Sequence, residues 1–244
     1  MLGSPRFWFW RLTMSLAGRG IVAIWHDIVP EGQPDFYEWH NREHMPERMG
    51  IPGFRRGRRY VAVEGTPQFF CFYEGDDLNV VAGPDYFARL NSPSQWTQKI
   101  MPLFRNMSRS VCNLRYSDGP GEGGFIATLR FGASNKSEDQ LFETVLPQIG
   151  KERGVVGVHF CAADGSASNI PTREKTFRTS TDICPPYTIM IEGSSARSVK
   201  SAAARLLNDL SADLGVYQLE NTRSNLYGAY NGAGVYNDAK ATSV

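Results

Sequence analysis

Three of the chain's four histidines fall within nineteen residues, at His26, His40 and His44, and Glu43 stands between the last two. An imidazole near its ordinary pKa takes and returns a proton at neutral pH. A carboxylate beside it can orient the ring and raise its basicity. On a helix, about 100° per residue gathers Phe36, Trp39, His40, Glu43 and His44 into one arc. Aromatics, imidazoles and a carboxylate together read as the wall of a half-buried site whose catalytic groups are His26, His40, His44 and Glu43. The plainer alternative is a solvated rim on which His40 and Glu43 merely pair at i, i+3.

The same residues spell H-x-x-E-H, His40-Asn41-Arg42-Glu43-His44, the inverted zinc-peptidase motif. His40 and His44 would be its metal ligands, with His26 or a carboxylate as the third. Pro46 cuts that helix short, so the expectation is no metal, with a divalent metal as the alternative. In Phe54-Arg-Arg-Gly-Arg-Arg-Tyr60, alternation sends Arg55 and Arg59 one way and Arg56 and Arg58 the other. One pair holds a carboxylate or enolate oxygen, or the arginines keep an edge strand soluble. Trp25, Trp39, Arg59, Tyr60 and Phe72 are the candidates for substrate binding, with plain core as the competing role for the aromatics. No P-loop, G-x-S-x-G elbow or dinucleotide fingerprint is present. No C-x-x-C-H occurs either, so haem would have to bind non-covalently through one histidine.

The elements that position these groups repeat. Gly20–His26 aligns with Gly124–Arg130 at an offset of 104, which also pairs Asp35 with Asp139, Gly50 with Gly154 and Gly53 with Gly157. Glu74-Gly75 pairs with Glu192-Gly193 at 118, and the extra residues fall in the polar stretch from Gly165 to Asp182. Each copy predicts strand, helix, strand, strand, helix, strand. The first has strands at 21–28, 54–63, 68–73 and 110–116 and helices at 35–49 and 84–105. The second has strands at 125–131, 155–162, 187–191 and 216–222 and helices at 138–153 and 196–214. The order β-α-β-β-α-β is the ferredoxin-like unit, helices on one face of its sheet. Two units in one α+β chain predict tandem repeats packed sheet to sheet as a pseudo-dimeric α/β barrel. The divisions are a tail at 1–18, repeat one at 19–117, a Gly-rich linker at 118–123, repeat two at 124–230 and a tail at 231–244. In this fold His26 is a barrel-lining acid or base, or a core histidine with a backbone partner. At offset 104 the histidines face Arg130, Thr144 and Gln148, which puts the one active site in the first repeat.

The run from Trp39-His40 through His44 and Pro46, then Pro52-Gly53-Phe54 and Arg59-Tyr60, resembles the dimeric α/β-barrel superfamily, in particular its EthD-like and related branches. The resemblance covers the first copy well and the second in outline. It implies a barrel of ferredoxin-like units. It admits cofactor-free monooxygenases, muconolactone-type isomerases, polyketide cyclases, haem-dependent dehydratases and binding proteins.

A formal net charge of +1 over 244 residues argues against nucleic acid as a partner. No apolar run nears the ~20 residues of a membrane span. FWFW near the start is too short for a signal-peptide core. Cys71, Cys112, Cys161 and Cys184 are widely spaced and sit in or beside apolar runs, as thiols of a reducing, cytoplasmic compartment do. The expectation is a small-molecule enzyme, possible as a homodimer, using histidine acid/base chemistry on a small apolar, aromatic or lactone-type substrate: a lyase, isomerase or hydrolase. The alternatives are a cofactor-free monooxygenase, a metal-dependent enzyme through His40 and His44, and a non-catalytic binding barrel.

Overall fold

The computed structural model describes residues 15–179 and 182–225. Eight strands run β1 (Gly20–Ile28), β2 (Phe54–Glu64), β3 (Phe69–Gly75), β4 (Phe104–Asp118), β5 (Phe125–Ser134), β6 (Val155–Ala163), β7 (Tyr187–Gly193) and β8 (Leu210–Ser224). All neighbours are antiparallel, and the sheet closes into a barrel in the order β4-β1-β3-β2-β8-β5-β7-β6. The order 4-1-3-2 in the first half recurs as 8-5-7-6 in the second. The halves meet through β2–β8 and β4–β6, so every strand edge is paired, which removes a template for aggregation.

Alternation along each strand divides two environments. Ile21, Ala23 and Trp25 turn inward, onto Tyr60, Phe70, Phe72, Ile126, Met190 and Tyr217. Val22 turns outward, onto Met45, Met49, Cys71, Tyr73 and Tyr86 beneath the helices. Arg58 lies fully inside the barrel and binds both Glu74 and Glu192. Arg56 binds Glu74 as well. The inward arginine pair is therefore held by the protein's own carboxylates.

The helix after β1 runs Gln33–Trp39, widens into a π turn at His40–His44 and continues as Met45–Met49. A second π turn, Leu141–Val145, occupies the same place in the other half. Pro46 and Pro147 follow these turns by two residues. A proline has no N–H to give and its ring clashes with the carbonyl four residues back. Widening the preceding turn relieves both problems, so the helix passes Pro46 instead of stopping there.

The register of the repeat differs from the ungapped offset of 104. Ile21 opposes Glu74 and Ile126 opposes Glu192, which sets β1 against β5 at 105. Arg56 opposes Glu74 and Gly157 opposes Glu192, which sets β2 against β6 at 101. Gly53 thus matches Gly154, and each has φ of 85°, a conformation that glycine adopts without strain. The positions matching His26, His40 and His44 are Phe131, Leu141 and Val145. A second correction concerns the helix expected over 196–214. It ends at Ala204, and β8 begins at Leu210 because that stretch pairs with β5; pairing overrides helix propensity. Leu16 is buried in the barrel interior and Ala17 donates to Glu74, so the end of the expected tail is tied down. Residues 1–14 and the expected tail at 231–244 lie outside the described residues.

Candidate functional site

The pocket lies between the outer face of the first half's sheet and its helices. Its floor comes from three adjacent strands: Ile24 and His26 on β1, Cys71 and Tyr73 on β3, and Met107 and Arg109 on β4. Ile24 is the centre of the floor, paired with Cys71 on one side and Arg109 on the other. The π turn supplies His40 and His44 as a wall, beside Trp39 and Arg48. The helix Pro84–Asn91 adds Tyr86 and Leu90. Thr172, Glu174, Lys175 and Arg178 close the pocket from above. These four belong to the second half's polar stretch between β6 and β7. About 50 Å³ is open to the centre of a water-sized sphere.

His26, His40 and His44 are 2%, 2% and 8% exposed. His40 and His44 have ring centroids 5.4 Å apart, and His44 packs 4.3 Å from Trp39. Cys71 Sγ sits between His26 Nε2, at 3.9 Å, and His40 Nε2, at 3.7 Å. Arg59 Nη1 lies 3.1 Å from His40 Nδ1. A guanidinium only donates, so Nδ1 is the acceptor and the proton of the neutral ring sits on Nε2. That N–H faces Tyr73 Oη at 3.3 Å. His40 is therefore a hydrogen-bond donor to the pocket, and its lone pair is engaged. Among the described residues His44 has no hydrogen-bond partner in the protein, and its Nδ1 is buried unpaired. His26 Nδ1 makes no bond of good geometry either.

Burial is the main influence on His26, His40, His44, Cys71 and Tyr73, because a dry site disfavours charge. It lowers His26 to about 3, helped by Arg59 and Arg178 and opposed by the Asp27 backbone. Burial, then Arg59 and His26, hold His40 well below the ordinary imidazole value. Burial, then Arg48 and His40, do the same for His44. Burial pushes the Cys71 thiol up to about 12 and raises Tyr73. All three imidazoles are uncharged at neutral pH. The near-ordinary pKa expected of them does not hold.

The other candidates are placed as follows. Trp39 lines the pocket and donates from Nε1 to Thr97 Oγ1 at 3.1 Å. Glu43 accepts from Thr97 Oγ1 and Ser94 Oγ. It braces Trp39 through Thr97 and orients no imidazole. Arg59 stands behind His40, pairing with Glu220 and Asn41. Trp25, Tyr60 and Phe72 lie in the barrel interior, on the opposite face of the sheet from the pocket. Trp25 stacks on Phe70 at 4.8 Å and donates to Thr128, so these three are core. The sequence reading missed Arg48, Arg109, Lys175 and Arg178. Arg48 is bound through both oxygens of Glu174, and Arg178 pairs with Asp182. The long polar insertion was visible in the sequence; its destination over the first half's pocket was not.

Neither a metal nor haem fits this arrangement. A ligating imidazole normally donates its other N–H to a fixed partner, and Nδ1 of His26 and of His44 lacks one. Both nitrogens of His40 are already engaged. Among the described residues no three His, Cys, Asp or Glu side chains converge as a metal site. Nor is any helix among them long and apolar enough to cross a membrane.

No family model matches the chain, and no curated protein matches it. Several solved structures share its shape. An anthrone oxidase-like protein superposes with a TM-score of 0.55 at 11% identity, over 88% of this chain and 96% of its own. A putative monooxygenase from Fusobacterium nucleatum subsp. nucleatum gives 0.50 at 9%, over 86% and 96%. A putative chlorite dismutase gives 0.50 at 8%, over 83% and 95%. At these identities the likeness shows the α+β barrel fold. The expectation of a lyase, isomerase or hydrolase is corrected: the neighbours carry oxidase and monooxygenase names.

Proposed function

We propose that this protein is a cofactor-independent oxidase or monooxygenase acting on a small, electron-rich ring compound. The observation that carries the reading is His44: an uncharged imidazole on the wall of a dry pocket, without a hydrogen-bond partner among the described residues, near the Nε2–H of His40 that Tyr73 Oη accepts. Such a pair can ionise an acidic C–H next to a phenol or carbonyl. His44 takes the proton, and the substrate oxygen that gains negative charge replaces Tyr73 Oη as the acceptor of His40 Nε2–H. Arg59 keeps His40 in the donating tautomer. The carbanion transfers its electrons to dioxygen and forms a C–O bond. The peroxide takes the proton back from His44 and loses water, so that R₂CH₂ and O₂ become R₂C=O and H₂O. Exclusion of water by the cover protects the carbanion. The anthrone oxidase-like and monooxygenase names of the neighbours agree with this class.

We also read residues 19–117 and 124–230 as two fused ferredoxin-like copies, a dimer made within one chain. The matched strand order and the two glycines at φ 85° support that reading.

An oxygen electrode tests the activity with anthrone and with single-ring hydroquinones and 1,3-diones, with and without chelator. Uptake of one O₂ per substrate, unaffected by chelator and lowered about a hundredfold or more by His44→Ala, is expected. No uptake above the buffer rate, loss of uptake on chelation, or an unimpaired His44→Ala enzyme rejects the proposal.

A further inference from the structure

Five arginines are buried in the described structure: Arg48, Arg56, Arg58, Arg59 and Arg109. Four have a carboxylate within ion-pair distance, respectively Glu174, Glu74, Glu192 and Glu220. Arg109 is the exception among the described residues. It is 6% exposed, and its hydrogen bonds go to two neutral oxygens: Tyr86 Oη at 3.3 Å and Ser168 O at 3.4 Å. Lys175 Nζ binds that same Ser168 carbonyl at 2.9 Å and Ile170 O at 3.1 Å. Two cations thus converge on one neutral oxygen at the pocket, and the nearest buried carboxylate of the cover, Glu174, is already bound by Arg48. A buried charge without a close partner is costly; among the described residues Arg109 has no carboxylate within ion-pair distance, and Glu174 and Asp182 act on it only from farther off, each engaged by another arginine.

We propose that the ligand of this pocket carries a carboxylate, held by Arg109 with Lys175 beside it and Tyr86 donating its hydroxyl hydrogen. The inference rests on the reading of the pocket as a substrate site and adds the substrate's charge. The floor gives the orientation. Arg109 and Cys71 flank Ile24 on opposite sides, so their backbones are about 10 Å apart at ~4.8 Å per strand. A carboxylate on Arg109 places a ring over Ile24, against Phe104, Met101 and Met107, with its far side toward His40 and His44. The planar guanidinium suits a carboxylate by binding both oxygens at once.

Titration of intrinsic tryptophan fluorescence or calorimetry with sodium benzoate, benzamide and inorganic phosphate tests this on the full chain. Benzoate is expected to bind at least about tenfold tighter than its neutral isostere benzamide. Arg109→Gln removes that preference, Arg109→Lys keeps part of it, and Lys175→Met narrows it by a few-fold, with circular dichroism and thermal melting showing that each variant is folded. Benzoate binding no tighter than benzamide, complete absence of binding included, overturns the proposal. So does a preference that survives Arg109→Gln, or displacement of benzoate by an equal concentration of phosphate. Should Arg109→Gln fail to fold, the Lys175→Met and benzamide comparisons decide the matter alone. Oxygen uptake on neutral substrates without a carboxylate preference refutes this inference and leaves the oxidase reading standing. A carboxylate preference without uptake does the reverse.

Discussion

The interface between helices and sheet is built twice in this barrel, once solid and once hollow. In the second half it is packed with Leu129, Phe131, Leu141, Leu146, Phe160, Ile189, Ile191 and Leu206. At matching places the first half carries His26 for Phe131, His40 for Leu141, His44 for Val145, Cys71 for Ile189 and Tyr73 for Ile191. The strand order and the π turn are alike. The polar interface is therefore not something the architecture demands. Each buried, unpaired imidazole nitrogen costs about 1–3 kcal/mol, which the second half avoids; the chemistry proposed for the pocket would account for the cost. The two extra segments tell the same story. The helices Pro84–Asn91 and Gln95–Ile100 in the first half and the insertion in the second all bear on the hollow side.

The sharpest way to break the comparison is to make the hollow side solid. The triple variant His26→Phe, His40→Leu, His44→Val should fold, melt at a higher temperature at pH 5, and lose at least about a thousandfold in oxygen uptake. A fully active triple variant removes the meaning from the contrast. Next in size is the cover. Glu174→Ala leaves the 3%-exposed Arg48 with Glu47 alone as its carboxylate partner, and urea unfolding should show a loss of about 1.5–3 kcal/mol; a loss under about 1 kcal/mol means the cover is not latched there. Third is acid. The folded imidazoles refuse the proton that the unfolded chain accepts below its ordinary value of 6.5, and His26 refuses it down to about 3. The unfolded state binds more protons in that window, so stability falls as pH drops, by up to about 1.4 kcal/mol per pH unit per histidine. Denaturant midpoints from pH 7 to 4 should fall steeply for the native chain and more gently for the triple variant. Equal slopes would place the acid sensitivity elsewhere. The smallest effect belongs to the converse swap, Val145→His, which should leave oxygen uptake unchanged, since an imidazole there lies far from His40, the pocket and its cover. Any change in rate would tie the solid half to the chemistry.

Much of this arrangement could be read before the coordinates. The strand-helix order, the glycine turns, the clustering of His40 and His44 and the inserted loop all follow from local patterns. The register did not. Sequence identity alone cannot count loop residues, and a slip from 105 to 104 flips every side chain on β5 to the other face. Nor does alternation say which face of β1 meets helices, so Trp25, Tyr60 and Phe72 read as pocket candidates while the barrel interior takes them. Glu43 was placed by proximity in sequence, whereas Thr97, 54 residues away, is its partner. Arg109 and Lys175 come from a distant strand and from the other half, and a lone Arg or Lys in sequence reads as surface.

The closed barrel also bears on how the chain is made. Translation delivers β1 to β4 first, with one border of β2 bare until β8, the last described strand, arrives to cover it. Lys175 and its neighbours likewise emerge well after the histidines they roof. A nascent chain on the ribosome thus carries an open, unroofed hollow, and chaperones or proteases meet that form before any substrate does.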